Sequence, residues 1–245
     1  MKNFTLKLIT AITAVSLITC GLAACKQQDD KKPAKNESET TTEEWVEEPP
    51  TSYEAFTAGG WEIPEDNKLN VDLENVFDEA VGQLDGYFYD PVMLLGTQMV
   101  SGTNYAFLCK SNIEANNGVG EYIITYVYVD LNGKAEFLGD EQIDLPGAAG
   151  ENVTGGWSYA IDPAITPDIE KIMETATETL TGATYEPVAY IGSQVVAGYN
   201  HAILCKSSPS VEELDGETTY VLVYIYADLD GGCEITSTVD INLGI

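Results

Sequence analysis

Displacing the chain against itself by 96 positions superposes 22 identical residues out of 53, carrying 59–111 onto 155–207 without a gap. Gly59-Gly60-Trp61 falls on Gly155-Gly156-Trp157, and Tyr89-Asp90-Pro91-Val92 on Tyr185-Glu186-Pro187-Val188. Asn104, Cys109, Lys110 and Ser111 fall on Asn200, Cys205, Lys206 and Ser207. By Tyr122 and Tyr220 the displacement is 98, so the second copy has gained two residues near 208–217, where a surface loop is expected. One fold must therefore serve twice, in units of roughly 90 residues, a size that can still bury a core. The two domains are placed at 59–146 and 154–245, joined across Pro146-Gly147-Ala148-Ala149-Gly150.

Each copy opens with a helical stripe. Leu73, Val76, Phe77, Ala80, Val81 and Leu84 recur at helical spacing, and Gly86 is the expected stop. In the second copy Thr166 is the expected N-cap with Pro167 at the first helical position. Ile169, Ile172, Met173, Ala176 and Leu180 form its stripe, and Gly182 is the expected stop. Strand patterns follow. Tyr105, Phe107 and Cys109 alternate with Ala106, Leu108 and Lys110, and His201, Ile203 and Cys205 repeat the first face. With Lys110 and Lys206 assigned to water, the cysteine face is the buried one, and Cys109 and Cys205 become small core hydrophobes. The runs 122–131 and 220–229 end in Asn132-Gly133 and Asp230-Gly231, dipeptides suited to two-residue type I′ hairpins. One helix followed by an antiparallel meander makes each copy a small α+β domain.

Composition narrows the function. Forty acids against eleven lysines, with no arginine, give a net charge of −29 and a pI near 4.1. Nucleic acid is not expected as a partner, because phosphate neutralisation needs Lys and Arg. A single His leaves no His-based metal cage, and no cofactor and no catalytic activity are expected. His201 and Cys205 lie four apart on one strand, roughly 13 Å at about 3.3 Å per residue, too far for a Cys–His pair. Asp228-x-Asp230-Gly231 lacks the remaining ligands of a calcium loop and reads as a turn. Trp61 and Trp157 read as caps on the core.

The N-terminus reads as an address. Lys2 and Lys7 precede an apolar run, 8–18, too short to span the roughly 30 Å of a bilayer core. Leu22-Ala23-Ala24-Cys25 resembles a bacterial lipobox, which implies a signal peptide over 1–24 and a lipid on Cys25. That resemblance implies retention on the outer face of a bacterial membrane, where acyl burial supplies about 0.8 kcal/mol per CH₂. Residues 25–58, rich in acids with a Thr run and three prolines, make an acidic disordered spacer. Cys109, Cys205 and Cys233 then remain, an odd number that argues against a disulfide framework.

Gln98-Met99-Val100-Ser101-Gly102 and Gln194-Val195-Val196-Ala197-Gly198 resemble the Gln-x-Val-x-Gly first hairpin of cystatins and stefins. The upstream pairs Gly59-Gly60 and Gly155-Gly156 are similar to that family's N-terminal glycine trunk, and the order of helix and hairpins agrees. The resemblance covers nearly all of 59–245, twice. It implies two cystatin-like domains, each one helix wrapped by an antiparallel sheet, and tight reversible inhibition of papain-like cysteine proteases. In that family the trunk and two hairpin tips fill the protease cleft without a bond to its thiol. The implied protease-binding residues are Gly59, Gly60, Gln98, Met99, Val100, Ser101, Gly102 and Leu131 in the first copy. In the second they are Gly155, Gly156, Gln194, Val195, Val196, Ala197, Gly198 and Leu229. The second hairpin departs from the family: the Pro-Trp or Leu-Pro-His tips found there are replaced by Asp130-Leu131-Asn132-Gly133 and Asp228-Leu229-Asp230-Gly231. The fuller hairpin match in the first copy, against bulky Tyr199 in the second, implies that the first is the stronger inhibitor. The alternative is a cystatin-like surface scaffold whose hairpin ends bind a protein or glycan without inhibition.

Overall fold

A computed structural model describes residues 59–82, 84, 88–112, 120–146, 155–210 and 217–244. The signal segment 1–24, Cys25, the spacer 25–58, linker residues 147–150 and Gly86 lie outside the described residues.

The fold is α+β, with two helices and two antiparallel five-stranded sheets. The first copy runs β1 (Trp61–Glu62), α1 (Val71–Val81), β2 (Phe88–Val100), β3 (Gly102–Asn112), β4 (Glu121–Val129) and β5 (Ala135–Gln142). The second runs β6 (Trp157–Tyr159), α2 (Pro167–Thr177), β7 (Ala183–Val196), β8 (Gly198–Pro209), β9 (Thr219–Ala227) and β10 (Cys233–Ile241). Strands in each sheet neighbour one another in sequence order, so each is a meander.

The helices begin where side-chain caps allow. Asn70 accepts the Leu73 amide at 2.9 Å, and Thr166 accepts the Ile169 amide at 3.4 Å with Pro167 following it. Acids in both first turns, Asp72 and Glu74, Asp168 and Glu170, complement the helix dipole. Both helices stop earlier than the glycine spacing predicts. α1 is capped at Gly82, and the α2 helix ends at Thr177, whose hydroxyl bonds back to the Met173 carbonyl at 2.8 Å. Leu180 is consequently outside the stripe and exposed.

Phe77 and Ala80 of α1 pack on Leu94, Phe107, Cys109, Ile123 and Val127. Ile169 and Met173 of α2 pack on Ile203, Cys205, Val221, Val223 and Ile225. Register shifts at Pro91/Met93 and Leu94/Gly96, repeated at Pro187/Ala189 and Tyr190/Gly192, mark irregularities that curl β2 and β7. Proline sits there without breaking an inner ladder.

The opposite sheet faces pack together instead of meeting water, which corrects the placement of Lys206 and leaves Lys110 half-buried at the margin. Ala106, Leu108, Tyr122, Ile124 and Tyr126 of one sheet bury against Ala202, Leu204, Tyr220, Leu222 and Tyr224 of the other. The layers are helix, sheet, sheet, helix. Lys206 is buried and donates to the Glu65 carbonyl at 2.9 Å; Lys110 donates to the Ile161 carbonyl at 2.7 Å. The pairs 110/161 and 206/65 are related by the same displacement of 96, so the two copies meet by a pseudo-twofold axis, each presenting the same patch. Their tails cross over. Leu145 lies over Gly192 and Leu243 over Gly96, so close that a Cβ on either glycine would sit 2.7 or 2.9 Å from the leucine methyl. The sequence assigned each copy a core of its own; the structure adds a third core that both copies share.

Candidate functional site

Three segments of the first copy meet at one end of its sheet. β1 pairs with β2 through Trp61↔Gln98, which brings Gly59-Gly60 to the end of β2. β2 turns into β3 at Ser101, with Val100 opposite Gly102. Thr103 pairs with Val129, so the β4–β5 turn lies beside that tip. The second copy repeats this through Trp157↔Gln194, Val196↔Gly198 and Tyr199↔Ala227.

Polar side chains fasten the three parts together. Gln98 Nε2 donates to the Gly59 carbonyl at 2.5 Å, and its Oε1 accepts from Asn104 Nδ2 at 2.7 Å. Gln194 makes the same pair of bonds to Gly155 and Asn200, both at 2.7 Å. The glutamine is thus a clasp between trunk and hairpin. Tyr128 donates its hydroxyl to the Ser101 carbonyl, and Tyr226 donates to the Ala197 carbonyl at 2.6 Å, tying the tip to the next strand. The sequence pointed to the glutamines but not to these tyrosines, although they stand in register at the displacement of 98.

Glycine at each tip answers to the fold itself. Gly102 has φ +127° and Gly198 φ +123°, and both face the neighbouring strand without room for a side chain. A Cβ at Gly102 would lie 2.7 Å from the Tyr128 ring and 2.9 Å from its hydroxyl. Gly59 (φ +100°) and Gly155 (φ +82°) need left-handed backbone but have open space around them.

The second turn has a different form from the one the sequence predicts. The Gly133 amide donates to the Asp130 carbonyl and the Asp130 amide to the Lys134 carbonyl, both at 3.0 Å. The central residues are therefore Leu131 and Asn132, with Gly133 (φ +87°) closing the loop. Asp130 Oδ1 accepts the amides of Asn132 and Lys134 at 2.8 and 2.9 Å, and this carboxylate bracing selects the longer turn. The bond from the Lys134 amide comes first among those that hold the Asp130 carboxyl below the usual range; those from Asn132 add to it. Asp228 Oδ1 braces the second copy's turn through Asp230 and Gly232, both at 2.8 Å.

The longer turn pushes its leucine outward. Leu131 is 84% exposed and Leu229 81%. Met99, Val100, Val195, Val196 and Tyr199 are exposed beside them, as are Ser101 and Ala197. Gly59, Gly60 and Gly155 are exposed and Gly156 half-buried. Each end therefore presents exposed apolar side chains at its tips, with Asp130 flanking Leu131, and Asp228 and Asp230 flanking Leu229. His201 is buried, its Nδ1 2.9 Å from the Tyr190 hydroxyl, and burial lowers its pKa. Cys109 and Cys205 are free and fully buried, and burial pushes both thiols up to about 12. Among the described residues no three His, Cys, Asp or Glu side chains are grouped to hold a metal, and no helix is long and apolar enough to cross a membrane. Trp61 and Trp157 face Tyr126 and Tyr224, with ring centroids 5.8 and 5.4 Å apart, at the margin of the shared core. No protein-family model matches the chain, and none of the curated proteins matches it.

Proposed function

We propose that the chain is a reversible inhibitor of papain-like cysteine proteases, built from two cystatin-like repeats and held at a bacterial cell surface by a lipid on Cys25. The observation that carries this reading is the meeting of Gly59-Gly60, the Val100-Ser101-Gly102 tip and the Leu131 turn at one sheet end, held by Gln98 and Tyr128. A cleft-filling wedge needs what this end has: exposed apolar side chains at Met99, Val100 and Leu131, and loops tied down before contact so that little ordering entropy is lost on binding. Inhibition by occlusion requires no nucleophile and no cofactor.

The chain's charge bears on encounter. A protein of −29 attracts a cationic partner and approaches it faster at low salt.

The experiment is a titration of papain-like proteases with the full chain, following cleavage of a small peptide substrate. Competitive inhibition is expected. A protease whose thiol is blocked by S-methylation is expected to bind as well, because the wedge makes no bond to sulfur. The lipid is tested separately: Cys25→Ser should abolish incorporation of labelled fatty acid, and unchanged labelling would remove the anchor from the proposal.

A second reading is favoured by Gly102 and Gln98, since both are needed by the hairpin itself. On that reading the signature shapes a scaffold whose ends bind a protein or glycan without blocking a protease. Binding without loss of protease activity would select it.

A further inference from the structure

We infer that one chain carries two separate binding ends facing opposite ways, and holds two papain-like protease molecules at once. The inference rests on the proposed reading of the tip as a protease wedge, and adds stoichiometry and geometry to it.

The contacts across the shared core fix the direction of each sheet. Along the first sheet toward its tip, the successive levels are Tyr122, Leu94 and Tyr126. Tyr122 donates to the Ala160 carbonyl at 3.0 Å, near the middle of the second sheet. Asn67, which also bonds the Leu94 carbonyl, reaches the Tyr220 hydroxyl at 2.7 Å, at the level of Lys206 near the far end. Tyr126 accepts the Gly244 amide at 3.2 Å, from the tail that continues past that far end. The second copy reciprocates, with Tyr224, the counterpart of Tyr126, donating to the Asp144 carbonyl of the first copy's tail at 3.5 Å. Moving toward one tip is therefore moving away from the other.

Separation follows from strand length. From Leu94 to Ser101 is seven residues and from Lys206 to Gly198 eight, so at about 3.3 Å per residue the tips stand about 50 Å apart. A protease of roughly 220 residues has a radius of gyration of about 17 Å, so two on opposite ends clear each other. The shared core joins the ends rigidly, so neither can fold back to help the other fill one cleft. The ends also differ, Met99, Ser101 and Thr103 standing where Val195, Ala197 and Tyr199 stand in the other.

The test is the mass, by light scattering, of the complex between the full chain and an S-methylated papain-like protease in excess. Two proteases per chain are expected. Val100→Asp with Leu131→Asp should reduce this to one, and so should Val196→Asp with Leu229→Asp; all four together should leave none. These side chains are exposed, so unchanged melting is expected and checks that each variant is folded. Saturation at one protease per chain, or complete loss from either pair alone, would overturn the two-ended geometry while leaving inhibition standing. No binding to any such protease would overturn the inhibitor reading, and this inference with it.

Discussion

Replacing Gly102 by alanine should cost far more than the same change at Gly133, although both are hairpin glycines with positive φ. At Gly133 the backbone is left-handed at φ +87° with open space around it, so a methyl group costs about 1 kcal/mol of conformational preference. At Gly102 φ is +127°, outside the ordinary left-handed well, which costs about 2 kcal/mol. The new Cβ would also press on the Tyr128 ring at 2.7 Å and on the backbone of β4, adding about 1–2 kcal/mol of overpacking. The difference between the two variants is then about 2–3 kcal/mol, or roughly 4–12 °C in melting temperature for a protein of this size. Urea denaturation followed by tyrosine and tryptophan fluorescence measures both, with equal m-values as the check that the midpoints report stability. Equal losses, or a larger loss at Gly133, would refute the claim that the tip glycine is demanded by the neighbouring strand.

Three further outcomes follow from the packing. Fragments 59–146 and 154–245 should each fail to melt cooperatively as monomers, because each alone exposes its half of the shared core; two independent monomeric transitions would contradict this. Thr125 Oγ1 is buried with no oxygen or nitrogen partner among the described residues, and the second copy has Val223 at that place, so Thr125→Val should raise stability by about 1 kcal/mol in urea titration. His201 is neutral and buried, with its pKa below the ordinary 6.5, so the unfolded chain binds the proton first. Its contribution is complete above about pH 6.5 and declines as pH falls from there through the folded value, by at most about 1.4 kcal/mol per unit; His201→Gln should make the loss of stability below about pH 6.5 less steep.

The repeat and its elements were legible because their signals are local. Thr166-Pro167 marks a helix start by capping geometry alone, and the alternation through Phe107 and Cys109 marks a buried face. The opposite face was not legible. Leu108 alternating with Lys110 looks like a strand meeting water, and only the pseudo-twofold contact, long-range in sequence, supplies the Ile161 carbonyl that receives the ammonium. The second turn was misjudged for a related reason: Asn132-Gly133 favours a two-residue hairpin, but the carboxylate of Asp130 bonds two amides and wins. At the tip the motif identified Gln98 and Gly102, whereas Tyr128 was invisible because it joins the site only through strand register.

The central claim is that the exposed apolar tips at Val100 and Leu131, with their counterparts at Val196 and Leu229, occlude a papain-like active site. The measurement is the inhibition constant of the full chain against such a protease, beside that of the variant carrying aspartate at all four positions. A desolvated, unpaired carboxylate in a cleft costs several kcal/mol. At 1.4 kcal/mol per decade, inhibition should weaken at least a hundredfold while the melting temperature stays unchanged. Equal inhibition by the two proteins would contradict the claim.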